Sequence, residues 1–127
     1  MKIVVISATS NGLPVARQAL ARLEQEYPGQ FTLQAREGSN LADRERAAAF
    51  ANEVIRVADA LIVLLHGGAA SCPHFHMLVT AAREALAYCY IHPSDEDAQA
   101  LSQELSTDYG SPFFEDVHRY ILFDGVG

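Results

Sequence analysis

Apolar residues recur along this chain in two rhythms. Short continuous runs of strand length occur at Lys2–Ser7, Ala60–Leu65 and Leu86–Ile91, and a weaker alternation runs from Phe31 to Arg36. Runs of four to eight residues rich in Val and Ile, with no polar face, suit strands of a parallel sheet buried on both sides. Between them the spacing changes to that of a helix. Leu13, Ala16, Leu20, Leu23 and Tyr27 form one stripe, with Pro14 tolerated in a first turn, and Pro28-Gly29 ends it. Ala47, Phe50, Ala51, Val54 and Ala58 form a second stripe behind Gly38-Ser39-Asn40, with Asn40 as the expected N-cap. A third helix opens at Pro73 and turns Phe75, Leu78, Val79, Ala82 and Leu86 inward. Ser94-Asp95-Glu96-Asp97 resembles a capping box before Ala98–Leu105. A last helix begins at Pro112, where Phe113, Phe114, Val117, Tyr120 and Ile121 keep helical spacing.

Strand and helix therefore alternate four times. Right-handed crossovers then give a parallel sheet with helices on both faces, and the expectation is an α/β three-layer, flavodoxin-like sheet of four strands in the order 2-1-3-4. In such sheets ligands sit beyond the carboxyl ends of the strands. Three exits fall there: Ser7–Gly12, His66–Cys72 and His92–Ser94. The rim they form gathers Ser7, Thr9, His66, Gly67, Gly68, Ser71, Cys72 and His92 as candidate ligand contacts. No catalytic residue is assigned.

Composition narrows the chemistry. The 127 residues suit one domain, and half of them are hydrophobic. The net charge is −7 with a single lysine, so the basic face that a nucleic-acid binder needs is missing. Seven acidic residues and no Lys or Arg lie between Ser94 and Asp116. That stretch reads as a solvated face or as a docking surface for a basic partner. No apolar run reaches membrane-spanning length, and Met1–Ile6 is too short an apolar segment for a signal peptide. A cytoplasmic protein is expected. The chain closes on Phe123-Asp124-Gly125-Val126-Gly127 directly behind an amphipathic helix, which suggests a piece of something longer.

The rim residues admit several chemistries. Ser7, Thr9, Ser10 and Gly12 offer hydroxyls and backbone N–H groups to a flavin phosphate, yet the Thr-Gly-x-Thr/Ser pattern is missing and Pro14 removes a donor. Cys72 stands at a helix start, where the dipole lowers a thiol pKa. A cysteine phosphatase would need an arginine six residues on, and that position is Leu78. Cys72 and Cys89 lie 17 apart without a CxxC, which argues against a zinc site or disulfide framework. His66, His74 and His76 are the candidate metal ligands, although residues two apart on a helix diverge.

Several of these segments resemble one family. Leu64-Leu65-His66-Gly67-Gly68, three residues, then Cys72-Pro73-x-Phe75 is similar to a motif of cobaltochelatase large subunits (CobN) and magnesium chelatase H subunits. There a Leu-His-Gly-Gly segment leads to Ser-Cys-Pro-Gly-Phe-Asp; this chain has His74 for the glycine and His76 for the aspartate. His92-Pro93-Ser94-Asp95-Glu96-Asp97 is similar to the family's Pro-Ser-Gly-Asp-Glu-Asp. Leu105-Ser106-Thr107 is similar to its Leu-Ser-Thr, and Arg119–Gly125 to its Arg-Arg-Tyr-Leu-x-Tyr-Gly-Gly.

The resemblance spans the chain and is most specific from Ala60 onward. It implies the N-terminal domain of a large subunit that inserts cobalt or magnesium into a corrin or porphyrin. Its partners would be the remaining domains, AAA-type ATPase subunits and the tetrapyrrole substrate. The chain has no P-loop, so ATP would be handled elsewhere, and the domain alone would hold no cofactor and not chelate. Two other readings stand beside it: a freestanding flavin- or metal-binding module of flavodoxin type, and an acidic docking domain.

Overall fold

A computed structural model describes residues 1–10 and 12–126, with side chains except those of Leu23 and residues 120–126. Nine regular elements follow in order: β1 (Lys2–Ser7), α1 (Gly12–Glu26), β2 (Thr32–Glu37), α2 (Arg44–Glu53), β3 (Ala60–Leu64), α3 (Phe75–Glu84), β4 (Tyr88–Ile91), α4 (Glu96–Leu105) and α5 (Pro112–Val126). Short 3-10 turns at Gly38–Leu41, Ile55–Val57 and Ala69–Ser71 join them.

The four strands are all parallel, in the order β2-β1-β3-β4. This is the α/β three-layer arrangement expected from the alternation of elements. The register pairs Val5 with Ala35 on one side and with Ile62 on the other. Alternate residues of each strand serve opposite faces, so the two faces have separate cores. Val4, Ile6, Leu61, Val63, Cys89 and Ile91 meet Phe50 and Ala51 of α2 and Leu78 and Val79 of α3 in the larger one. Val5 and Leu64 meet Ala16 of α1 in the smaller one. A cavity of about 70 Å³ remains in the smaller core between Val15, Ala19 and Leu20 of α1 and the sheet residues Ile3, Leu33 and Ile62.

Asp59 locks the amino ends of the strands. Its carboxylate accepts the Lys2 N–H at 2.7 Å, its own N–H donates to the Lys2 carbonyl, and its carbonyl accepts the Tyr88 N–H. At the far side of the sheet the open edge of β4 is covered. The N–H groups of Cys89 and Ile91 donate to Thr107 Oγ1 and Ser106 Oγ, and the Thr107 N–H donates to the Cys89 carbonyl. Two side-chain hydroxyls thus take the place of a fifth strand and satisfy an edge that would otherwise pair with another chain. The opposite edge, β2, is partly blunted by Arg36. Its guanidinium donates to the Ala35 carbonyl at 2.9 Å and lies over the Phe50 ring.

Four expectations need correction. The fourth strand begins at Tyr88 rather than Leu86, because Leu86 is still part of the end of α3. Leu86 N–H donates to the Arg83 carbonyl and Ala87 N–H to the Ala82 carbonyl, the Schellman pattern that closes a helix. Leu86 therefore points outward, 91% exposed, with φ at 62°. The N-cap of α2 is Asp43, whose carboxylate accepts the Arg46 N–H, while Asn40 lies in the preceding 3-10 turn. The N-cap of α4 is Asp95, accepting from Ala98 N–H, and the Ser94 hydroxyl donates instead to the Leu65 carbonyl. Lastly, α3 begins at Phe75, two residues beyond Pro73. The helically spaced side chains of Leu23, Tyr120 and Ile121, and the Arg119–Gly125 match beyond Arg119, lie outside the described side chains.

Candidate functional site

The carboxyl rim brings together the exits of β1, β3 and β4. The first exit folds on itself. Ser7 is buried, and its hydroxyl donates to the Thr9 carbonyl at 2.6 Å and accepts the Thr9 N–H at 3.3 Å. The Gly12 and Leu13 N–H groups turn back to the carbonyls of Thr9 and Ser10. Gly12 sits so close that a Cβ there would fall 2.1 Å from Ser7 Oγ. The Ser7 hydroxyl and the Gly12 and Leu13 N–H groups, among the donors expected to cradle a phosphate, are thus bonded inside the loop.

The second exit turns on Gly67, whose φ of 103° is a conformation that side chains rarely adopt. His66, just before it, is exposed. Gly68 is extended (φ −78°) and begins a 3-10 turn closed by the Ser71 hydroxyl and N–H, both donating to the Gly68 carbonyl. The third exit is tied to the second. The Ser94 hydroxyl reaches the Leu65 carbonyl at 2.7 Å, and Asp97 of α4 lies beside Gly68. The His-Gly-Gly turn is therefore braced from the α4 side by the Ser94–Asp97 segment.

Cys72 is buried at 2% exposure, and burial pushes its thiol up to about 11. The expected effect of a helix dipole on this thiol is overturned, for two reasons. The helix starts three residues later, and desolvation outweighs any dipole so placed. Cys72 is a core residue beneath the rim. Cys89 is likewise a fully buried strand residue, and both are free thiols.

His74 has a left-handed backbone, φ 59° and ψ 29°, at the N-cap of α3, and no side chain caps that helix. Its Nε2 donates to the Ala42 carbonyl at 2.9 Å, fastening the start of α3 to the start of α2. His76 is exposed in the first turn of α3 and lies edge-on to Phe75. Among the described residues, no three His, Cys, Asp or Glu side chains come together as a group able to hold a metal ion. His66, His74 and His76 are thus not assembled into one ligand set. His74 spends its ring on Ala42, and the His76 ring lies against Phe75.

Beside these histidines runs an open groove of about 480 Å³ between the starts of α2 and α3. Its walls include Arg44, Ala69, His76 and Met77 over Cys72, Pro73 and Phe75. Arg44 and Met77 were not singled out from the sequence. Arg44 follows the N-cap of a helix 30 residues before His74, and no local pattern links the two.

His92 faces the other side of the sheet. It is buried, shares a 2.9 Å hydrogen bond between Nδ1 and the Tyr90 hydroxyl, and meets the His118 ring of α5 at 5.3 Å between centroids. Burial, and then the nearby His118, hold its imidazole down at about 4. Tyr90 is pushed up by burial. His92 thus fastens α5 to β4 more directly than it faces the rim.

The acidic stretch is not one uniform face. Asp95 caps α4, Asp108 accepts from the hydroxyls of Tyr88 and Ser111, and Asp116 pairs with Arg119. No helix among the described residues is long and apolar enough to cross a membrane. Comparisons with protein-family models, curated proteins and solved structures found no match to this chain.

Proposed function

We propose that this chain is a flavodoxin-like domain of a chelatase large subunit of the CobN and magnesium chelatase H type, contributing its β3-exit rim to metal insertion into a corrin or porphyrin. One observation carries the reading. The resembling motif has glycine where this chain has His74, and the His74 backbone is left-handed at φ 59°, the conformation glycine takes without cost. A departure in sequence thus coincides with a backbone of the kind that the motif's glycine suits.

The other resembling segments support it by their positions. His92–Asp97 supplies the Ser94 brace on Leu65, and Leu105-Ser106-Thr107 covers the β4 edge. Matched segments scattered in sequence serve one rim and the strand behind it. Cobalt or magnesium would be a substrate of the full assembly, with ATP used by separate AAA-type subunits. The domain's part would be to present His66 and the Gly67 turn to substrate or to neighbouring domains. The flavin alternative finds less support, since the Ser7 hydroxyl and the first N–H groups of α1 are already bonded within their loop.

The test is reconstitution. A chelatase large subunit deprived of its N-terminal flavodoxin-like domain is mixed with its ATPase subunits, metal, tetrapyrrole and this chain. Restored ATP-dependent insertion and co-elution with the large subunit are expected. Neither insertion nor co-elution, under conditions where the intact subunit works, would overturn the reading.

A further inference from the structure

We propose that the groove between the starts of α2 and α3 binds a small organic carboxylate with an apolar body, its carboxylate held by Arg44. The groove's volume of about 480 Å³ lies within the range of small-molecule sites, roughly 300–1,000 Å³. Its walls are mostly apolar: Ala69, Ala70, Pro73, Phe75 and Met77. Phe75 itself is only 3% exposed, so the floor is rigid core.

The charge pattern identifies the occupant's polar end. The whole chain carries −7, yet no Asp or Glu lines this groove. Its polar side chains are Arg44, His74, His76 and the thiol of Cys72. The thiol is neutral, because burial pushes it up to about 11, and the His74 ring is engaged by Ala42. Arg44 is exposed, and among the described residues it has no hydrogen-bond or ion-pair partner. An unengaged guanidinium beside an apolar trough matches a carboxylate bidentately, with His76 as a second donor at the same mouth. One guanidinium suits a monocarboxylate better than a dianion. The proposal does not rest on the chelatase reading, and its test uses this domain alone, so either can fail without the other.

The experiment is an amide NMR titration of the whole chain with 1-naphthoate, with neutral 1-naphthamide as the control. Saturable shifts at Ala69, Ala70, His76 and Met77 are expected with naphthoate, at least fivefold stronger in affinity than with the amide. Arg44→Gln should weaken naphthoate about tenfold and leave the amide unchanged, and Arg44→Lys should recover part of the loss. Arg44 is exposed and unpartnered, so the variants should melt with the wild type, which a thermal scan checks. The proposal is overturned by shifts absent from the groove, by equal affinity for acid and amide, or by Arg44→Gln binding naphthoate as well as the wild type.

Discussion

His74 Nε2 donates to the carbonyl oxygen of Ala42 across 2.9 Å, and this bond holds the beginning of α3 against the beginning of α2. It is made from a left-handed backbone, which costs a side-chain-bearing residue about 1 kcal/mol. A net hydrogen bond contributes about the same.

Those two effects predict different results for two small substitutions. His74→Ala keeps the left-handed cost and loses the bond, so it should destabilise by about 1 kcal/mol. His74→Gly loses the bond and relieves the backbone, and should stay within about 0.5 kcal/mol of wild type. Urea unfolding of the three proteins checks this. Alanine proving as stable as glycine would show that the left-handed conformation is not what matters at this position.

Leu86 carries the same backbone cost without any bond from its side chain. It closes α3 at φ 62° while its side chain is 91% exposed. Leu86→Gly should therefore stabilise by about 1 kcal/mol and raise Tm by roughly 3–5 °C. An unchanged or lower Tm in a thermal scan contradicts this.

Gly12 tests how tightly α1 is seated. A Cβ there would overlap Ser7 Oγ at 2.1 Å and Ser7 Cβ at 2.8 Å. Ser7 is fully buried, so relief must come from moving α1 off the sheet or breaking the Thr9 turn. Gly12→Ala should cost about 2 kcal/mol or more, despite alanine's better helix propensity. The unfolding midpoint measures it, and a gain in stability would mean that the loop yields freely.

His92 makes stability depend on pH. Its folded pKa is depressed to about 4 from 6.5 by burial and by His118. Above pH 6.5 the ring is neutral in both states and costs nothing. As pH falls from 6.5 toward 4 the unfolded chain takes up a proton that the folded one refuses, so stability drops, by up to about 3 kcal/mol. Below the folded value the loss is complete. Urea unfolding at pH 7.5 and pH 4.0 should show a smaller acid loss for His92→Gln than for wild type. Equal losses would place the acid sensitivity elsewhere.

The segments of the rim announce themselves locally, but which of their side chains come together does not. The Gly67 turn follows a run of apolar residues, whereas Cys72, placed by local pattern at a helix start, is a buried core residue. The capping of α2 was misread because Asn40 and Asp43 both suit an N-cap, and only the packing of Leu41 into the core, as part of a 3-10 turn, selects the later one. Leu86 was misread for a related reason. An apolar residue ahead of Tyr88-Cys89-Tyr90-Ile91 fits a strand as well as a helix end, and the outcome depends on where Ala87 finds its acceptor.

The sequence by itself determined the alternation of elements and so the parallel sheet, because periodicity and β-branching act through near neighbours; the order β2-β1-β3-β4 is a matter of which distant strands pair, and the structure agrees with the expected one. It also carried the family resemblance from Ala60 onward. Only the tertiary structure decided that Ser106 and Thr107 serve as the covering edge of β4, and that Ser7 and Gly12 close their own loop. It alone set Arg44 across a groove from His76. Those relationships join residues far apart in the chain, and hydrogen-bond geometry and burial, which no local pattern encodes, select among their possible partners.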